Sequence, residues 1–106
     1  MQGSISVAAN AVSVNVLAGQ QFEFLPQNAQ CTLSVAGSAV GLNTSLLAGG
    51  VTIINDQAIN GANRFPVMPD DMMSQEVIPG GARLLLTFRN TTGGALTAFW
   101  RVDVGF

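Results

Sequence analysis

The chain of 106 residues is 48% apolar and only 9% charged, with a formal net charge of −2 and an isoelectric point near 4.5. That balance excludes a disordered chain, which combines low hydrophobicity with high charge, and the length fits one domain spanning residues 1–106. Four arginines and no lysine exclude a basic groove for nucleic acid and attachment to an anionic membrane surface.

Period-two alternation of apolar and polar residues dominates from the N-terminus onward. Ile5 and Val7 alternate with Ser4 and Ser6, then Val12, Val14 and Val16 with Ser13 and Asn15. Phe22 and Phe24 flank Glu23, and Leu33 and Val35 alternate with Thr32 and Ser34. Cys31 opens that last run and reads as a small core residue. As the single cysteine it makes no intrachain disulfide. Turn residues separate the runs at Ala18-Gly19-Gln20, Pro26-Gln27-Asn28, Gly49-Gly50, Asn60-Gly61, Pro79-Gly80-Gly81 and Thr92-Gly93-Gly94. Several short strands with turn signals between them predict an all-β, antiparallel β-sandwich of seven or eight strands, jelly-roll-like.

The stretch from Gly61 to Pro79 breaks the alternation and predicts extended or irregular chain. A helical turn is allowed at Asp70 or Asp71, because carboxylates favour helix N-termini. Met68, Met72 and Met73 read as packing over the open end of the sandwich, or as an adaptable contact surface.

Leu84, Leu86 and Phe88 share one face of a strand; Leu96, Ala98, Trp100, Val102 and Val104 share one face of the next. The loop between them reads as a hairpin connection that sets Arg83 opposite Asp103. Trp100 then belongs to the core, and Phe99 points outward with Arg101 as the candidate exposed aromatic. A faint repeat relates Ser6-Val7-Ala8, Ala11-Val12 and Asn15 to Ser34-Val35-Ala36, Ala39-Val40 and Asn43. It reads first as chance similarity in an Ala/Val/Ser-rich chain, and second as two equivalent strand pairs.

Chemistry is narrowed by what is missing. Without His there is no Ser-His-Asp or Cys-His nucleophile and no His-ligated zinc. Without Lys there is no Schiff base or P-loop. Asp70, Asp71 and Glu76 are the only clustered acids, and a solvated loop or helix cap suits them better than Ca²⁺ or acid–base catalysis. No catalytic, cofactor-binding or metal-ligating residue is assigned, no cofactor is expected, and the chain reads as a non-enzyme. Asn43-Thr44-Ser45 and Asn90-Thr91-Thr92 fit the glycosylation sequon. No signal peptide is visible, so both matches are read as coincidental. No apolar run approaches the roughly 20 residues of a membrane helix, so no membrane insertion is expected.

A surface this poor in charge, and without Lys, costs little to desolvate, which favours permanent contact with other subunits. The stretch Glu76-Val77-Ile78-Pro79-Gly80-Gly81-Ala82-Arg83-Leu84-Leu85-Leu86-Thr87-Phe88-Arg89-Asn90-Thr91-Thr92-Gly93 resembles the closing strands of small bacteriophage and viral jelly-roll proteins. In those proteins a Pro-Gly turn feeds an apolar strand that ends in an Asn-Thr-rich hairpin. The resemblance implies a virion structural protein (capsid, vertex or decoration subunit) made in the host cytoplasm, with itself and other virion proteins as partners. It carries over no functional residue. The alternative is a small carbohydrate- or receptor-binding module in which Phe99, Arg101 or the Gly61–Met73 loop touches a glycan.

Overall fold

The computed structural model describes residues 1–66 and 71–106. Among them are seven strands: β1 (Gln2–Val7), β2 (Ala29–Gly37), β3 (Leu42–Ala48), β4 (Val51–Ala58), β5 (Met72–Ile78), β6 (Leu84–Asn90) and β7 (Leu96–Gly105). They form two antiparallel sheets, ordered β1-β7-β2-β5 and β4-β3-β6. Most inward residues are those the alternation marks, although Phe24 is 59% exposed and β3 adds Leu42 and Leu46 where no alternating run is read. Leu33 and Val35 from β2, Leu42 and Leu46 from β3, Leu84, Leu86 and Phe88 from β6, and Ala98, Trp100 and Val102 from β7 are all buried. Cys31 and Trp100, each 3% exposed, lie in this core as expected.

The alternating Val12–Val16 stretch is not a regular strand. It runs along the free edge of β6, with Val12 bridged to Arg89, Ser13 N–H donating to Phe88 O at 2.7 Å and Val16 N–H to Leu86 O at 3.0 Å. Side chains replace the missing rungs. Ser13 Oγ accepts the Phe88 N–H at 2.9 Å, and Asn15 Oδ1 accepts the Leu86 N–H at 3.0 Å while its Nδ2 donates to Leu84 O at 3.2 Å. Small polar side chains compete with the ladder in this way. Val12 and Val14 are left on the outside, 62% and 73% exposed.

With that stretch counted as an eighth member, every connection except β3–β4 crosses from one sheet to the other, which is the wrap of a jelly roll. β3–β4 alone is a hairpin, and its Gly49 and Gly50 have φ of 57° and 85°, the signs a two-residue primed turn requires.

Three expectations are corrected. β6 and β7 lie in different sheets, so the loop after Asn90 is a crossing and not a hairpin. The face pattern is satisfied both ways, because both strands turn their apolar face to the same core. Arg83 therefore does not meet Asp103: it pairs with Glu23 at 2.7 Å, and Asp103 pairs with Arg101 at 3.0 Å. No helical turn follows Asp71, which leads directly into β5 and is buried, 3% exposed, so it is not a solvated loop residue; Asp70 lies outside the described residues.

The faint repeat has a structural counterpart. β1 and β2 flank β7 on its two sides, both antiparallel to it. The 11–16 stretch and β3 flank β6 in the same way. The two copies thus occupy equivalent places at different registers.

Candidate functional site

The outer face of the four-stranded sheet is built by the residues that alternate with the core set. Register places Ser4, Phe99 and Ala36 in one row and Gln2, Arg101 and Ser34 in the next. Asp103, Thr32 and Gln75 follow in a third row. Ser34, Ala36 and Thr32 in the middle of the sheet are buried, so the accessible part of the face is Gln2, Ser4, Phe99, Arg101, Asp103 and Gln75, with Met72 and Val77 exposed on β5. Arg101 Nε stands 3.0 Å from Asp103 Oδ1, with both side chains partly in solvent. Gln75 Nε2 donates to Thr32 Oγ1 at 3.4 Å.

A second ring arrives from the β4–β5 connection. Phe65 meets Phe99 edge to face, with centroids 5.1 Å apart and planes at 63°, and is itself 49% exposed. That geometry suits the aromatic quadrupole. The connection is pinned at its base: Gly37 N–H donates to Asn60 O at 2.8 Å and Asn63 N–H returns to Gly37 O at 2.9 Å. Buried Asp71 accepts from Asn60 Nδ2 and from Arg64, whose Nη2 stands 3.4 Å from Oδ2. A buried carboxylate needs such partners, and here they hold the chain on either side of Phe65.

A groove of about 380 Å³ adjoins this face across the free edge of β1. It is lined by Gln2, Ser4, Ile5, Asn15, Gln20 and Trp100. Gln2 and Ser4 therefore belong to both surfaces.

Phe99, Arg101 and the Gly61–Met73 connection, the three elements of the glycan-binding alternative, come together on one face. Among the described residues the connection contributes through Phe65, and Met72, in register with Ser34, adds to the same face. Met72 is 40% exposed on β5, Met73 packs partly against the core, and Met68 lies outside the described residues. Sequence reasoning does not single out Phe65 within the Gly61–Met73 loop, and it reads Asp71 as a solvated loop or capping residue where the structure has a buried anchor. An aromatic residue just before Pro66, in a stretch otherwise lacking alternation, was the available signal for the first.

Among the described residues no group of three or more His, Cys, Asp or Glu is placed to hold a metal ion. The sequons are structural: Asn90 is 1% exposed, with its amide donating to Val7 O and Gly94 O, and Thr44 is buried with its hydroxyl on Thr87 O.

No protein-family model matches the chain, and no curated protein does. Solved structures do resemble it. PliG of Salmonella Typhimurium, a periplasmic lysozyme inhibitor of g-type lysozyme, superposes with a TM-score of 0.52 at 14% identity, over 97% of this chain and 90% of that one. Carbohydrate-binding module CBM36 in complex with calcium and xylotriose gives 0.46 at 16% identity, over 99% and 88%. The CBM36-1 domain of a multidomain xylanase from the hindgut metagenome of Trinervitermes trinervoides gives 0.42 at 13% identity, over 100% and 86%. At that identity the PliG likeness is one of fold alone.

Proposed function

We propose that this chain is a small non-catalytic carbohydrate-binding module that lays a neutral glycan across the outer face of the β1-β7-β2-β5 sheet. The observation that carries the reading is the Phe65–Phe99 pair set among the exposed Gln2, Ser4 and Gln75. A sugar ring has an apolar C–H face and a rim of hydroxyls. An exposed aromatic suits the first, and amides, hydroxyls and a self-neutralised Arg101–Asp103 pair suit the second. A face without net charge favours neutral saccharides over acidic ones.

A glycan array followed by calorimetry on the best hits tests this. Phe65→Ala and Phe99→Ala are each expected to weaken binding about fivefold to tenfold, with Phe65→Ala leaving the melting temperature close to wild type. An array without hits, or hits indifferent to both substitutions, would remove the glycan reading from this face.

Self-assembly, the function implied by the viral resemblance, draws on a different observation. Val12, Val14 and Phe24 are all more than half exposed alongside β6. The structural neighbours named above lend a virion role no support. Light scattering across a concentration series separates the two readings: closed oligomers support assembly, and an 11.0 kDa monomer supports the binding module.

A further inference from the structure

The opposite side of the sandwich carries a second feature. β4 and β5 are the outermost strands of their sheets, and between them opens a cleft of about 250 Å³. Its walls are apolar, with Val51, Ile53, Ile78, Pro79 and Ala82 among them, and among the described residues Glu76 is the one charged residue in its lining. Glu76 pairs in register with Cys31. Because Cys31 faces the core, Glu76 lies on the inward face of its strand, at the mouth of the cleft. The four arginines are each engaged elsewhere, with Asp71, Glu23, Asp56 and Asp103. Among the described residues Glu76 is therefore a carboxylate without a cation.

We propose that the free edge of β5 captures an extended basic peptide segment by strand addition. A Lys or Arg of the guest sits opposite Glu76, and apolar side chains two residues to either side enter the cleft. The backbone edge supplies hydrogen bonds, and the alternating side-chain positions supply selectivity. Charge fixes the occupant. An inward carboxylate on an edge strand opposes a purely apolar guest, whose approach would strip its water without replacement. A second copy of this chain is disfavoured for the same reason: it has no Lys, and its arginines are already paired. Only a guest that brings its own cation satisfies both the cleft and Glu76.

The test uses the full chain and two capped seven-residue peptides of alternating Val and Thr, one centred on Lys and the other on Glu. Calorimetry at low salt gives the affinities, and amide exchange followed by NMR gives the location. The Lys-centred peptide is expected to bind about fivefold more tightly and to protect amides within Met72–Ile78. Glu76→Gln should abolish the preference, and Glu76→Arg should reverse it. Neither variant is expected to disturb folding, since Glu76 is exposed. Absence of binding by the Lys-centred peptide, equal binding of both, or protection on β1 or β4 in place of β5 would each overturn the proposal. The glycan reading concerns the outer sheet face and is untouched by either result.

Discussion

Gly3 lies so close over Trp100 that a Cβ on it would stand 2.9 Å from the indole Cζ2. The glycine serves close approach and not a turn: β1 at this position is ordinary strand, paired with Trp100 itself across the ladder. The indole is 3% exposed and cannot swing aside. Gly3→Ala is therefore an overpacking change, expected to cost about 1–3 kcal/mol. That lowers the melting temperature by roughly 4–8 °C per kcal/mol. The same substitution in a Trp100→Phe background should cost measurably less, because the smaller ring yields the space. Equal losses in both backgrounds would show that the contact is not the cause.

Asn90 ties the crossing between sheets together. Its Nδ2 donates to Val7 O at 3.0 Å and to Gly94 O at 2.7 Å, and its Oδ1 accepts from the Thr92 N–H at 2.9 Å. The residue is 1% exposed, so water cannot replace these partners. Asn90→Ala is expected to destabilise by about 2–3 kcal/mol, the cost of leaving buried backbone groups unpaired. Asn90→Asp should be worse, since it turns a carboxylate oxygen toward two carbonyls. Denaturant midpoints of the two variants check both the size and the order.

These two sites show what the alternation reveals and what it leaves open. That Leu84, Leu86 and Phe88 face the core follows from period two alone, as does the burial of Trp100. Whether β6 and β7 then pair or cross does not follow, because a hairpin and a crossing bury the same faces. The Asn90 side chain holds the crossing, and its partners Val7 and Gly94 cannot be read from spacing. Val12, Val14 and Val16 alternate as well as any strand here, yet Ser13 and Asn15 take over the rungs. Phe99 and Arg101 were legible as an outward pair. Phe65 was not, because its place depends on buried Asp71 holding a connection that has no periodicity of its own.

Titration of three groups shapes stability against pH. Glu23 is held below the usual carboxylate range, first by the Gly19 N–H and then by Arg83. Asp56 is lowered by its hydrogen bonds from Arg89, at 2.9 and 2.6 Å. A depressed folded value gives stability that is present above the unfolded value and is lost as pH falls through the folded one. The acid limb should therefore begin near pH 4 and become shallower in Glu23→Gln and in Asp56→Asn. Cys31 behaves oppositely, because burial pushes its thiol up. The unfolded chain releases that proton first, so stability declines above about pH 8.5. Cys31→Ala should flatten this alkaline limb. Urea midpoints from pH 3 to pH 10 for the four proteins test each sign separately.

Asn15 gives the last and most local test, because its side chain stands in for a strand. It accepts the Leu86 N–H at 3.0 Å and the Leu17 N–H at 3.1 Å, and donates to Leu84 O at 3.2 Å. Without it the middle of the β6 edge is bare, and bare edges invite pairing with other chains. Asn15→Ala is expected to cost about 1–3 kcal/mol and to speed hydrogen exchange at the Leu86 amide more than at Leu85. It should also raise the association seen in light scattering. Asn15→Asp keeps the acceptor and loses the donor, so it should preserve Leu86 protection while still losing stability against the Leu84 carbonyl. If Leu86 exchange is unchanged in Asn15→Ala, the stretch is held by the burial of Leu17, which is fully enclosed. The amide would then be a consequence of that packing and not its cause.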